Sequence, residues 1–239
     1  MTYSTAQHST AQHSTAQHST AQKEIFATSE GDQYFLRNSR SGGSQINDND
    51  VIVDLLRFIE LRPKKALEIG CSSGDRLDLI KRAFDAECWG VDPSSKAIED
   101  GKIRFPEILL QVGTADILPF ENNSFDVIIF GFCLYLCDRN DLFKIAYEAD
   151  RCLKNEGTLI IKDFYPAFPF KNKYSHHNGV FSYKMDYSKM FSWNPSYAEV
   201  AKVVFSLYGF ECRDIPNEKV AVIVLRKNEQ YAYPEEPFK

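Results

Sequence analysis

The turn Glu68-Ile69-Gly70-Cys71-Ser72-Ser73-Gly74-Asp75 constrains this chain more than any other feature. It follows a short apolar run at 65–69 and precedes Leu77, Ile80, Ala83 and Phe84, which recur at helical spacing. Strand, glycine turn and helix in that order predict a βαβ unit, and the alternation continues along the chain. Apolar runs at 88–91, 108–112, 125–130 and 158–161 predict four more strands, with 125–130 continuously apolar and hence covered on both faces. Val51, Leu55, Phe58 and Ile59 predict a helix capped from within 47–49; Leu142, Ile145, Ala149 and Leu153 predict another, stopped by Asn155-Glu156-Gly157. Ser196-Tyr197-Ala198-Glu199 has the form of a capping box opening a helix to Tyr208. Strands at 211–215 and 220–225 are joined only by Pro216-Asn217-Glu218-Lys219, too short for a crossover, so they must be antiparallel. The expected fold class is α/β: a doubly wound, mostly parallel sheet closed by a C-terminal antiparallel hairpin.

Composition narrows the function classes. The 239 residues carry 28 basic and 33 acidic side chains, a net charge of −5, which offers no clustered positive surface for a nucleic acid. No run approaches the ~20 apolar residues that cross a bilayer, and the first thirty residues lack the pattern of a secretory signal. A cytoplasmic protein without a membrane partner is expected. Six cysteines lie mostly in apolar runs without C-x-x-C spacing, which predicts reduced thiols rather than disulfides or a zinc site. Within residues 1–22 the unit Ser-Thr-Ala-Gln-His repeats, with His8, His13 and His18 closing three copies and Lys23 standing where a fourth histidine would fall. A five-residue step turns each histidine about 140° from the last on a helix, so no ligand or apolar stripe forms. This tract is expected to be a disordered or weakly helical tail, followed by a lid segment at 23–49 and one domain at 50–230. Beyond the tail only His176 and His177 remain as histidines.

Ligands in doubly wound sheets bind at the carboxyl ends of the strands, where the first strand hands over to its helix. Asp92 ends the second strand, eighteen residues past Gly74, where a carboxylate can accept from a ribose diol. Gly113-Thr114-Ala115-Asp116 follows the third strand and places a second acid able to accept from an exocyclic amine. Together these features predict an adenosine site. A dinucleotide loop spaces its glycines G-x-G-x-x-G so that a pyrophosphate meets the helix N-terminus. Here the spacing is Gly70-x-Ser72-x-Gly74 with Asp75 next, and an acid at that helix start repels a pyrophosphate.

On these residues the chain resembles the class I S-adenosylmethionine-dependent methyltransferases, with a Rossmann-like sheet, over residues 50–227. Glu68, Gly70 and Gly74 match the family's E/D-x-G-x-G-x-G motif, with Ser72 departing at the middle glycine; Phe125-Asp126-Val127-Ile128 matches its fourth strand, and residues 153–159 resemble its L-K-P-G-G-x-L turn. The resemblance implies that S-adenosyl-L-methionine is held by Glu68, Gly70, Cys71, Ser72, Gly74, Asp92, Pro93, Ala115 and Asp116. The chain lacks the N/D-P-P-Y/F signature of amino-methylating nucleic-acid enzymes, the Pro-Cys pair of pyrimidine C5 enzymes and the acids of the metal-dependent catechol type, so magnesium is not expected. Residues 30–38 resemble the G-D-x-Y-x-x-R-N opening segment of small bacterial methyltransferases of sialic-acid-like sugar and surface-glycan pathways. There Tyr34 and Arg37 could clasp the methionine carboxylate, since a guanidinium matches a carboxylate bidentately.

Acceptor recognition is expected from the long segment 164–195. It carries Phe164, Tyr165, Phe168, Phe170, Tyr174, Phe181, Tyr183, Tyr187, Phe191 and Trp193, which suits either a lid over a ring or a satellite core. A hydroxyl acceptor also needs a base, and His176, His177 and Asp163 are the candidates. The expected function is methyl transfer to O or N of a small, carbohydrate-related metabolite. A silent adenosine-binding module acting through a partner and a nucleotide-sugar oxidoreductase are the alternatives.

Overall fold

The computed structural model describes residues 21–40, 50–209, 215–230 and 232–236. Five parallel strands form the centre of the sheet: β1 (Lys65–Ile69), β2 (Glu87–Asp92), β3 (Leu109–Val112), β4 (Phe125–Gly131) and β5 (Leu153–Phe164). A two-stranded hairpin, β6 (Phe170–Lys173) with β7 (Phe181–Lys184), stands apart from the sheet. β8 (Tyr197–Ser206) and β9 (Lys219–Lys227) close the order β3-β2-β1-β4-β5-β9-β8, with β9 antiparallel to both its neighbours. The strand order reverses at β1/β4, and so the carboxyl ends of β1, β2 and β4 open on one crevice.

The helices cover both faces, as the continuous apolar β4 requires. On one face α3 (Val51–Phe58), α4 (Asp75–Phe84) and α5 (Ser95–Arg104) bury Ile52, Leu56, Leu77, Ile80 and Ile98. On the other, α6 (Leu142–Cys152) and the one-turn α7 (Lys189–Ser192) bury Ile145, Ala149, Tyr187 and Phe191 against Phe130. Tyr187 and Phe191, expected in a lid or a satellite core, thus belong to the main core. Among the described residues no helix is long and apolar enough to cross a membrane.

The expected sheet forms, and several local expectations do not. Residues 197–206 are strand rather than helix: Ser196 caps nothing, and its carbonyl accepts from Asn228 while Tyr197 through Ser206 pair with β9. Val200, Val203, Val204 and Phe205 favour a pleated surface, and pairing satisfies the outer edge of β9, so tertiary context overrides the helical pattern. The sheet therefore ends in β8 and β9; 211–214 lie outside the described residues. α6 stops at Cys152, and Asn155-Glu156-Gly157 belongs to a bulge in β5, with Glu156 at φ 61° and the register shifted between Phe125 and Val127. Asp50 caps α3 by accepting from the N–H groups of Ile52 and Val53, whereas 47–49 lie outside the described residues.

The segment expected as a lid is helical over its described residues. α1 (Gln22–Ile25), a π turn (Phe26–Glu30) and α2 (Gly31–Arg40) run on as one rod across the crevice. Gln22, assigned from sequence to the tail, is buried: its backbone N–H donates to Asp138 Oδ2 (3.1 Å) and its amide bonds Leu136 O (2.7 Å) and both backbone groups of Phe181. At the far end Asp32 accepts from Ser94 Oγ (2.7 Å) and Lys96 N (3.1 Å), joining α2 to the first turn of α5. Gly31 permits this approach, because a Cβ there would lie 3.3 Å from Ser94 N and 2.7 Å from Phe26 O. Asp32→Ala should cost about 1 kcal/mol of stability through the lost cap. It should also speed tryptic cleavage within 22–40, which limited digestion would register.

Candidate active site

The β1–α4 turn owes its shape to three left-handed residues, Gly70 (φ 75°), Ser72 (φ 50°) and Gly74 (φ 84°). Gly70 and Cys71 both donate to Val91 O, at 2.8 and 3.2 Å, which folds the turn over the end of β2. Sequence reasoning assigned the glycine to ligand approach. A Cβ on Gly70 would instead lie 2.5 Å from Cys133 Cβ, so the residue is glycine because the segment after β4 packs on it. Ser72 tolerates its left-handed backbone with its N–H held by Asp92 Oδ2 at 2.9 Å.

Asp92 accepts from Ser72 through one oxygen and from Ser94 N (2.9 Å) through the other, which fixes its carboxylate at the mouth of β2 with lone pairs remaining for a diol. Burial pushes its carboxyl up, and these two N–H groups partly offset that. Asp116 is only 2% exposed; Lys23 Nζ lies 2.7 Å from its Oδ2 and 2.8 Å from Asp141 Oδ2. Burial would raise the Asp116 carboxyl, but the Lys23 contact holds it below the ordinary range.

Glu68 and Asp163 carry a different kind of load. Glu68 is buried under Gly131, whose absent side chain makes the room, and it pairs with Arg76, which also bonds Asp50 Oδ2 at 2.9 Å. Burial lifts the Glu68 carboxyl to about 7 against the pull of Arg76, and its Oε2 is buried without a hydrogen-bond partner among the described residues. Asp163 accepts from Phe164 N (2.7 Å) and Tyr135 N (3.3 Å), and burial likewise raises it to about 7. Its carboxylate shapes the turn after β4.

A cavity of about 260 Å³ lies over the carboxyl ends of β1 to β4. Of the residues expected to hold a cofactor, Tyr34, Gly70, Ser72, Asp92, Pro93, Ala115 and Asp116 line it. Glu68, Cys71 and Gly74 do not; Glu68 and Cys71 are buried beneath the loop, and a Cβ on Gly74 would meet Leu110. Arg37 is turned away from this cavity, paired with Glu30 and 3.0 Å from Tyr174 OH. An outer cavity of about 610 Å³ lies beyond, lined by Gln33, Tyr34, Leu36, Arg37, Asn38, Tyr174, Ser175 and His176. Tyr34 walls both. His176 faces only the outer one, His177 Nδ1 sits 2.8 Å from Asn178 O, and Asp163 lines neither. No residue of 164–195 reaches the inner cavity.

Sequence reasoning missed the roof, Lys23, Phe26 and Phe35, and the wall after β4, Phe132, Cys133, Leu136 and Cys137 with Asp138 and Asp141. The spacing of Lys23, Phe26 and Tyr34 on a helical rod carried that signal, hidden by the break at the π turn.

The inner cavity fits an adenosine-bearing cation. Asp92 at the end of β2 and Asp116 in the turn after β3 meet in it, Lys23 is the one basic residue on its walls among the described residues, and Asp75 at the start of α4 pairs with Arg104. Residues 67–161 match the family described as a methyltransferase domain. A demethylmenaquinone methyltransferase of Thermotoga maritima is 36% identical over 118 residues, 48% of this chain and 49% of the relative. An uncharacterised methyltransferase of Bacillus subtilis is 31% identical over 131 residues, 52% of this chain and 50% of the relative. The chain spans about half the length of these curated relatives. Among solved structures, a 1,6-didemethyltoxoflavin-N1-methyltransferase of Burkholderia thailandensis, with S-adenosylhomocysteine bound, superposes at a TM-score of 0.63 with 12% identity over 88% of this chain and 92% of that one. An S-adenosylmethionine-dependent methyltransferase of Methanosarcina mazei superposes at 0.59 with 17% identity over 76% and 99%. Residues 67–161 are thus similar to a methyltransferase domain, and the fold is the one these solved structures share. Neither curated relative is named for sugar chemistry, so the narrower resemblance to sugar-pathway enzymes rests on residues 30–38 alone.

Proposed function

We propose that this protein transfers the methyl group of S-adenosylmethionine to an oxygen or nitrogen of a small metabolite. The observation that carries the proposal is the pairing of Asp92 and Asp116 at successive strand ends in one roofed cavity, without a basic cradle for a pyrophosphate. Asp92 would hold the ribose diol, and Ala115 with Asp116 the adenine. Bound S-adenosylmethionine supplies an electrophilic sulfonium methyl. The chain's own part is to align donor and acceptor and to exclude water, which the rod 22–40 does as a roof.

The outer cavity is the proposed acceptor site, meeting the donor cavity at Tyr34, which lines both. His176 is then the base for a hydroxyl acceptor, because it lines that cavity whereas the Asp163 oxygens are committed to backbone N–H groups. A carbohydrate-related acceptor is supported by the resemblance at 30–38 and by walls rich in hydrogen-bonding groups: Gln33, Asn38, Ser175 and His176. A quinone-like acceptor, which the name of the Thermotoga relative would suggest, would want an apolar channel there.

Calorimetry with S-adenosylhomocysteine tests the donor site. Asp92→Ala should weaken binding at least tenfold, because two hydrogen bonds to a charged acceptor are lost at roughly 1.5–3 kcal/mol each. An unchanged dissociation constant would remove Asp92 from the ribose. Methyl-labelled S-adenosylmethionine incubated with size-fractionated metabolites should label a small-molecule fraction; label confined to macromolecules would overturn the acceptor class.

A further inference from the structure

Lys23 stands where the donor's adenine must bind. Its ammonium lies 2.7 Å from Oδ2 of Asp116, and all of Lys23, Asp116 and Asp141 face the inner cavity. The contact is built: the neighbouring Gln22 is held by four hydrogen bonds to Asp138, Leu136 and Phe181, so the stem of Lys23 starts from a fixed point. At the other end of the rod Asp32 is fixed to α5. Between these pins Phe26, Tyr34 and Phe35 close over the cavity.

We propose, on the reading that this cavity is the donor site, that Lys23 is a specificity-determining latch: it competes with the adenine 6-amino group for Asp116 and, when displaced, stays on Asp141. Two features make the exchange workable. Asp141 Oδ2 already lies 2.8 Å from the ammonium, so handing Asp116 to the ligand breaks one ion pair and leaves Lys23 its second. Lys144 Nζ, 3.6 Å from the same Asp116 oxygen, keeps a positive charge near the carboxylate throughout. Hypoxanthine presents a 6-oxo acceptor in place of the amino donor, so it does not displace the ammonium and leaves Lys23 on both acids. The latch therefore lowers affinity for adenine and narrows its advantage over hypoxanthine relative to a bare carboxylate pocket.

Two substitutions with opposite expected signs test this by calorimetry. In Lys23→Met the competitor is gone, and Asp116 is a buried acid short of a partner, so S-adenosylhomocysteine should bind about tenfold tighter. S-inosylhomocysteine, whose base lacks the amino group, should not gain. In Asp141→Asn the displaced ammonium loses its fallback carboxylate, so S-adenosylhomocysteine should bind several-fold weaker. Should Lys23→Met fold too poorly to titrate, Lys23→Gln takes its place with the same expected gain, and Lys23→Arg should keep wild-type affinity. A merely structural Lys23 would weaken binding in both variants, and that result overturns the latch, as does unchanged affinity in either. Failure of the wild-type chain to bind S-adenosylhomocysteine would overturn the donor-site reading and the latch together. Wild-type binding with indifferent variants would overturn the latch alone.

Discussion

Gly70→Ala should abolish measurable S-adenosylhomocysteine binding and lower stability by several kcal/mol. A left-handed backbone costs an L-residue about 1–2 kcal/mol. The new methyl would also sit 2.5 Å from Cys133 Cβ and 2.8 Å from its sulfur, an overlap the packed segment after β4 relieves only by moving, at about 1–3 kcal/mol. Both surfaces that would shift, the β1–α4 turn and the Cys133 wall, line the inner cavity, the proposed donor site. Gly70→Ala with Cys133→Gly should recover the steric part and keep the cost of the positive φ, so about half of the loss should return in urea unfolding. If Gly70→Ala alone unfolds at the wild-type midpoint, the turn does not pack on Cys133.

How much of this was legible in the sequence depended on whether local pattern and tertiary context agreed. The run 65–69, the glycine turn and Leu77, Ile80 and Phe84 agree, and β1 and α4 lie where they were expected. Asp92 and Asp116 were legible because strand ends in this topology converge, and both line the cavity. α5 was overlooked although Ser94 caps it by accepting from Ala97 N, because its apolar face is only Ala97, Ile98 and the small Gly101. At 197–206 the capping-box pattern was genuine as a local signal, and the open edge of β9 outweighed it. Long-range ties such as Lys23 to Asp116, 93 residues apart, have no periodic trace at all. The acceptor candidates failed to converge for the same reason: nothing in the spacing of Asp163 and His176 shows that one packs under the turn after β4 and the other faces out beyond α2.

Arg76→Ala should be the most destabilising of the charge changes, by about 3–5 kcal/mol, because it strands the buried Glu68 and Asp50 together. The pH dependence carries the test. Burial raises Glu68 from 4.5 to about 7 and Asp163 from 3.8 to about 7, so the folded state binds more protons than the unfolded chain across that interval. Stability from these two groups is full below pH 4 and is lost as pH rises through 7, by about 3–4 kcal/mol for Glu68 and about 4–5 kcal/mol for Asp163 at most, at 1.36 kcal/mol per pH unit. Asp32, Asp50, Asp116 and Glu148 are shifted downward and act in the opposite sense, at pH values below their ordinary range. Between pH 5 and 7.5 the urea midpoint should therefore fall as pH rises. Removing Arg76 takes away the charge that opposes burial at Glu68, which moves its proton loss upward and carries the decline into the alkaline range. Lys162, the other cation beside this cluster, is itself pushed downward by burial and compensates little. Glu68→Gln should flatten the Glu68 share of the slope, and Arg76→Ala combined with Glu68→Gln should be more stable at pH 8 than Arg76→Ala alone, because folding no longer has to protonate a buried carboxylate. Additive losses in that double-mutant cycle would mean that Arg76 does not hold Glu68 ionised beneath the donor loop.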